Sequence, residues 1–510
     1  ATSPSFLNTL QNNIVGAAAA PVSVSASSVS SRVLGLVSAS GAAAVSGNSI
    51  RHLTLNSGNT GTGAAATESV IGLWINSTST LGNNVSQNVV HDLANSHPSA
   101  ATWVTGLHYN GATSGTHLVQ RNLIHTLQTP STSASATLNG IYVQAGTTTY
   151  ANNMLALGSD LTANSPQLNG INETAAGTDN FYFNSVYIGG TGVAAGSAAS
   201  FAFQSSIVTN PRNFRNNIFW NARSNAAATG KHYAIRVGGT APNPAGLTCN
   251  NNGLLANGTG GFTGLFNAVD RASLADWQAA TGQDAASFAD NPQFLVPAAT
   301  TPDLHINPAV GTPVEGSGFA IGTVTDDFDG QSRAGLTPVD IGADAGNFLS
   351  GESTPPTIVY VPLVTTTSTA NRTLATTVTD SSGVPTAGLG LPRIYYRKLP
   401  SDPFVGNACS FVSGSNYNCV LNYGSLPGGS VSAGDLIQYY VAAQDTVGNV
   451  TANPLAGAGG FSANPPAAAT PPTTPASYSI ATALSGALTV GSGGGYTSLT
   501  NPGGLFQAIN

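Results

Sequence analysis

Seven asparagine-led tetrads punctuate the first half of the chain: Asn12-Asn13-Ile14-Val15, Asn48-Ser49-Ile50-Arg51, Asn88-Val89-Val90-His91, Asn122-Leu123-Ile124-His125, Asn152-Asn153-Met154-Leu155, Asn184-Ser185-Val186-Tyr187 and Asn216-Asn217-Ile218-Phe219. Their first asparagines stand 36, 40, 34, 30, 32 and 32 residues apart. Two residues further on the position is always apolar: Ile14, Ile50, Val90, Ile124, Met154, Val186 or Ile218. In the last five copies a second apolar column follows nineteen residues after the asparagine, at Leu107, Ile141, Ile171, Phe203 and Ile235, each preceded by Gly or Ala. A fixed offset inside a repeat of variable length means two strands in constant register joined by a loop that is free to vary. That is the coil of a solenoid. Gly and β-branched residues form helices poorly and Asn suits left-handed turns, so the coils are β and not α. The expected fold is all-β, a parallel β-helix. Its lead asparagines, Asn12, Asn48, Asn88, Asn122, Asn152, Asn184 and Asn216, are expected to bond from coil to coil as a structural ladder that satisfies buried amides without charge.

The pattern resembles the right-handed parallel β-helix of pectate-lyase-like bacterial surface and secreted repeat proteins. Asp290-Asn291-Pro292-Gln293-Phe294, Asp303-Leu304-His305-Ile306, Thr325 to Arg333 and Val339 to Asp344 are similar to the ending of many such solenoids. Coils are assigned to 1–261, and the end and cap of the solenoid to 262–350. Within the latter, Ala272 to Ala280 reads as a short amphipathic helix, with Leu274 and Trp277 three apart, covering the C-terminal end.

After Thr354-Pro355-Pro356-Thr357 the strand spacing changes to that of a sandwich, assigned to 351–455. Gln438 to Asp445, followed by Gly448-Asn449, resembles the penultimate strand and turn of immunoglobulin-like or fibronectin-like modules. Cys409 and Cys419 flank a Gly-Ser-Asn turn and are candidates for a disulfide in an oxidising compartment, whereas Cys249 is left over. The Ala/Pro-rich stretch 456–478 reads as a linker. The last segment, 479–510, is similar to a stretch that opens a solenoid in that family, with a capping helix. Here the opener comes last, while residue 1 begins near a coil. The expectation is that 479–510 belongs to the next repeat or docks on a neighbouring subunit through Leu488, Val490, Tyr496, Leu499, Leu505, Phe506 and Ile509. Identical subunits would then join head to tail.

Composition narrows the function. The chain has 510 residues, of which 14 are basic and 21 acidic, for a formal charge of −7. So few scattered cations give no footprint for nucleic acid, and no run of about 18 apolar residues provides a membrane span. Three cysteines without C-x-x-C spacing exclude zinc clusters and haem attachment. Catalysis by paired carboxylates is disfavoured, because the acids up to residue 260, Glu68, Asp92, Asp160, Glu173 and Asp179, share no coil phase. His91 and His125 occupy one position in successive coils beside Arg51 in the coil before, a stripe that reads as solvated surface, as a contact for an anionic sugar or as a metal site. With Asp92 they are the residues on which a polysaccharide lyase or hydrolase, the alternative function, depends. Asp326, Asp327 and Asp329 with Gly330 resemble part of a calcium loop without its twelfth-position glutamate. Calcium is admitted there, not required, and no other cofactor is expected. The expected function is structural and non-enzymatic: an extracellular, cell-surface repeat unit of a filament, sheath or array, with adhesion or polysaccharide contact as secondary roles.

Overall fold

In the computed structural model, residues 7–174, 177–336, 338–351, 354–380, 382–398, 400–482, 488–502 and 504–506 are described, and the chain divides into two compact units, Ala1–Gly351 and Glu352–Asn510. The first unit is a parallel β-solenoid. Each coil lays one strand on each of three sheets, as His117–Gln120, Leu123–His125 and Thr137–Ala145 do before Thr148–Ala151 returns to lie parallel on His117–Gln120. The three sheets hold eight, ten and nine described strands.

Side chains alternate across each strand, so every coil sends one set inward. The third-sheet column runs Leu36, Leu73, Leu107, Ile141, Ile171, Phe203, Ile235 in continuous parallel register, and from Leu73 onward each is fully buried. The residue before it is small because the second sheet approaches there. A Cβ on Gly106 would lie 2.5 Å from Ile124 Cγ2, and one on Gly170 2.3 Å from Val186 Cγ1.

The second-sheet column differs from the sequence reading. It runs Val15, Ile50, Val90, Ile124, Leu155, Val186, Phe219, Leu254. Ile14, Met154 and Ile218 are one residue out of phase, and a slip of one in a strand reverses the face. Ile14 is accordingly 69% exposed. Met154 and Ile218 are buried, but on the outside of the solenoid, beneath Phe294, Leu304, Ile306, Val314, Ile341 and Ala343. These belong to a strap, residues 294–336 and 338–345, that lies along the outer face of the second sheet.

The ladder slips with them, and for the same reason. Its rungs are Asn13, Asn48, Asn88, Asn122, Asn153, Asn184, Asn217 and Asn252. Wherever two asparagines adjoin at this corner, the second is the rung. The first takes a left-handed backbone, with φ of 56° at Asn12, 53° at Asn152 and 58° at Asn216, as do Gly47, Gln87, Arg121, Phe183 and Asn251 at the same corner. That turn aims the first side chain outward. Asn152 Nδ2 donates to the Asp326 carbonyl (2.6 Å), Asn216 brackets Phe319 through N–H (2.9 Å) and carbonyl (2.7 Å), and Arg121 Nε donates to the Phe328 carbonyl (2.7 Å). The outward asparagines therefore hold the strap and the inward ones hold the coils.

The helix Leu274–Thr281 closes the last coil. Ser273 and Asp276 form a reciprocal capping box, and Gly282, at φ 63°, ends the helix. Trp277 is fully buried, against Gly264, where a Cβ would meet its ring at 2.2 Å.

The second unit places antiparallel strands Thr357–Tyr360, Arg372–Thr379, Asn416–Leu421 and Ser410–Ser413 in one sheet, and Val405–Ala408, Arg393–Arg397, Leu436–Gln444 and Val450–Asn453 in another. Ile358, Leu374, Val378, Tyr417, Cys419 and Leu421 from the first meet Ile394, Tyr396, Ile437, Tyr439 and Val441 from the second in one core. Cys409 and Cys419 are disulfide-bonded, and Cys249 is free and buried in the solenoid. The stretch 456–478, read from its composition as a linker, is structured. Gly459–Ser462 and Ala467–Thr470 pair as a hairpin, and Ala476–Ser479 adds to Leu436–Gln444 with Ile437 opposite Tyr478. Small Ala side chains suffice because Tyr395, Tyr440 and Phe404 supply the bulk around Ala468.

In 488–506, Gly491 N–H bonds the Tyr496 carbonyl, and Leu505 and Phe506 N–H bond the carbonyls of Ser498 and Leu499. Leu488, Val490, Leu499 and Phe506 are exposed, while Tyr496 and Leu505 are half-buried. Ile509 lies outside the described residues.

Candidate functional site

The polar residues of the outer second-sheet face gather beside the strap. After Arg51, His91 and His125 the backbone turns left-handed, at His52 (φ 53°), Asp92 (φ 54°) and Thr126 (φ 52°), which opens the face and rotates these side chains together. Asp92 Oδ2 lies 2.8 Å from His91 Nδ1 and 3.4 Å from His52 Nδ1. His91 and His125 stack with centroids 4.8 Å apart, and His52 meets His91 edge-on at 5.7 Å. Burial, then the neighbouring His91, pushes the His125 imidazole down to about 4, so it is neutral at physiological pH. Arg51 lies beside His91 in register, and its Nε is 3.5 Å from the Gly16 carbonyl.

Asp92, Thr126, Gln128, Ser159 and Asp160 form one wall of a cleft of about 220 Å³ whose other wall is the strap from Pro297 to Pro302. A neighbouring hollow shares Gln128 and Asp160, and the Gln128 amide donates to the Asp160 carboxylate. The arrangement offers carboxylates and amides to a hydroxyl-rich ligand.

Asp326, Asp327 and Asp329 do not converge on a common point. Asp327 is fully buried and accepts Gln331 N–H at 2.7 Å. The Asp326 carbonyl serves Asn152 and Arg333, and exposed Asp329 turns to His305 Nε2 at 3.0 Å. The sequence cluster is split because buried Asp327 is spent on the backbone of its own turn while exposed Asp329 reaches His305.

The acids with raised pKa lie away from the cleft. Glu173 and Asp179 are both fully buried at the corner between the third and first sheets. Burial pushes Glu173 well above the carboxylate range, its charged neighbour Asp179 adding to the effect, and burial pushes Asp179 up to about 7. Asp179 Oδ1 accepts Thr148 N–H (2.8 Å), while Asp179 Oδ2 and both Glu173 oxygens have no donor. Elsewhere on this corner Asn83 Oδ1 accepts Ala43 N–H, and His117 Nδ1 accepts Asn83 N–H, each at 3.0 Å. This is a second, chemically mixed column that has no sequence period to reveal it. A further buried pair joins His108 Nδ1 to Glu68 Oε1 at 2.5 Å.

The sequence reading missed the eighth rung, Asn252, and its terminus, Asp284. Asn252 Nδ2 donates to Asp284 Oδ1 (2.9 Å), and Trp277 Nε1 to Asp284 Oδ2 (2.8 Å), so the ladder ends on the capping helix. The doublet Asn251-Asn252 carries the signal. Compared with known protein families and with characterised proteins, the sequence matches none.

Proposed function

We propose that the protein is a structural, non-enzymatic module of an extracellular head-to-tail array, filament or sheath, with a right-handed solenoid and an immunoglobulin-like second unit that spaces successive solenoids. The observation that carries this reading is the unlike treatment of the two solenoid ends. The last coil is covered by Trp277 and its helix. Among the described residues the first coil offers unpaired edges at Leu7–Gln11, Ile14–Val15 and Val33–Ser38, with Leu7 62% and Ile14 69% exposed. Exposed edges and apolar side chains favour pairing with another chain. The exposed Leu488, Val490, Leu499 and Phe506 are the complementary apolar set, and a second copy or an adjoining repeat would bring them to that edge.

Sedimentation of the full chain from 1 to about 100 μM, compared with a Leu499→Asp/Phe506→Asp variant, tests the proposal. Concentration-dependent assembly that the variant loses is expected. A monomer at all concentrations, together with a tandem fusion of two copies that gains no stability over one, overturns it.

A second reading, contact with a neutral polysaccharide, is favoured by one observation: Asp92 and Asp160 share a cleft with Gln128. Glycan-array binding that is lost on Asp160→Ala would support it.

A further inference from the structure

We propose that His305, Asp329 and Asp344 bind one first-row transition-metal dication of the zinc type, which locks three turns of the strap together. The three come from separate segments of the strap: the strand Asp303–Ile306, the turn after Phe328, and the run that follows Ile341. One ligand atom from each lies within 4.8 Å of the other two. Donors about 2.1 Å from a single ion sit roughly 3.4 Å apart in a tetrahedron, so small side-chain rotations bring these three around one centre.

Two features point to an ion beyond the grouping itself. Asp344 is only 7% exposed and spends one oxygen, Oδ2, on Ile306 N–H at 2.8 Å. An ion held by its other oxygen would give this buried carboxylate a cationic partner. The second feature is the imidazole. Asp303 Oδ1 lies 2.5 Å from His305 Nδ1 and Asp329 Oδ2 lies 3.0 Å from its Nε2, so the imidazole stands between two carboxylates. A metal ion would take the place of the Nε2 proton, bridging the ring to Asp329 while Asp303 holds the other ring nitrogen. A carboxylate behind a histidine is the outer shell that metal-ligating imidazoles carry.

The donor set chooses the metal. One imidazole and two carboxylates suit zinc, cobalt or manganese, whereas calcium prefers six to eight oxygens. The site therefore differs from the calcium loop suggested by Asp326, Asp327 and Asp329, of which it keeps only Asp329. Access exists, because Asp329 and Phe328 line a cleft of about 260 Å³ with Arg121 and Leu123 of the solenoid.

The test is zinc chloride titrated calorimetrically into the full chain after EDTA dialysis, with calcium chloride in parallel. One equivalent of zinc should bind at least tenfold more tightly than calcium. His305→Gln and Asp344→Asn should each weaken binding tenfold or more, Asp303→Asn should weaken it about 10- to 100-fold, and Asp326→Asn should leave it unchanged. Far-UV circular dichroism checks each variant's fold. If a variant unfolds, the visible spectrum of the cobalt-loaded natural chain decides instead. A four- or five-coordinate band that is displaced by one equivalent of zinc supports the site, and an octahedral aqua-like spectrum overturns it. Absence of stoichiometric zinc binding, or zinc binding that survives His305→Gln but is lost in His91→Gln, also overturns it.

Discussion

Replacing Asn122 by alanine removes a middle rung of the ladder, and the structure sets the cost. The Asn122 Oδ1 accepts both Asn88 N–H (3.0 Å) and Asn88 Nδ2 (2.9 Å), while its amide donates to Asn153 Oδ1 (2.9 Å) and the Val85 carbonyl (3.0 Å). All four bonds are buried, and a net worth of about 1 kcal/mol each gives a loss of about 4 kcal/mol, with the orphaned Asn88 donors raising it. In a stack where each coil contacts its neighbours, that loss falls on the coils bearing Asn88 and Asn153 as well. Guanidinium unfolding read by circular dichroism gives the total, and amide exchange around Val85 and Asn153 gives its location. Asn122→Asp keeps the acceptors but points a carboxylate at two carbonyl oxygens, so it should be worse at pH 7 than at pH 3. Asn164→Ala, which gives up only one 3.3 Å bond to the Pro130 carbonyl, is the reference and should cost under about 1 kcal/mol. If Asn122→Ala costs no more than Asn164→Ala, the ladder is an incidental alignment of turn residues and the reasoning fails.

Trp277→Ala should cost about 3 to 5 kcal/mol and should raise proteolysis between 266 and 290 before any other solenoid segment, because it empties the cap and orphans Asp284 Oδ2. The Glu173–Asp179 pair makes stability depend on pH. Asp179 rises from about 3.9 unfolded to about 7 folded, so the folded state binds the extra proton, and this contribution is greatest below about pH 4 and falls as pH rises to 7. His125 and His232, both pushed down to about 4 chiefly by burial, act oppositely, with stability present above about pH 6.5 and lost toward pH 4. The difference in urea midpoint between the natural chain and Glu173→Gln isolates the acid contribution. The variant should gain stability at pH 8 and little at pH 4, and an equal change at both would refute the assignment. Asn152→Ala should release the strap without unfolding the coils, seen as faster amide exchange at 325–333 with exchange at Leu155 unchanged.

The solenoid was legible because its period is written in residues with no alternative: Leu107, Ile141, Ile171, Phe203 and Ile235 recur at one phase and pair in one register. The second column was ambiguous by one residue because Asn-Asn doublets present two candidates for the rung, and both following residues are apolar. Met154 and Leu155 differ in sequence by nothing that marks inside from outside. The distinction is physical and distant: the strap, more than a hundred residues away, buries Met154 from without. The hairpin within 456–478 was illegible for a related reason, since Ala-rich strands carry no alternation and depend on Tyr395 and Tyr440 for their packing. The His91–His125 stack followed from equal phase. The grouping of His305 with Asp329 and Asp344 did not, because it requires the strap to fold back on itself.

A chain with 7% charged residues still has to bury polar backbone at every corner of every coil, and the ladder shows how it does so without ions. A carboxamide presents two donors and two acceptors, and Asn122 uses all four. A carboxylate at the same place would lack the donors and bring a charge whose burial costs several kcal/mol. The amide column also has no titration, so the stack gains its cohesion equally at any pH and salt concentration. A corner that departs from this chemistry, where the acids Glu173 and Asp179 stand, is also where three buried carboxylate oxygens have no donor. Placing amides there, by Glu173→Gln with Asp179→Asn, should therefore remove that pair's share of the pH dependence and leave the shares of the histidines and of Asp340 and Asp344, which burial pushes up to about 7 and about 6. A double variant that stays as acid-favoured as the natural chain would show that the proton resides elsewhere.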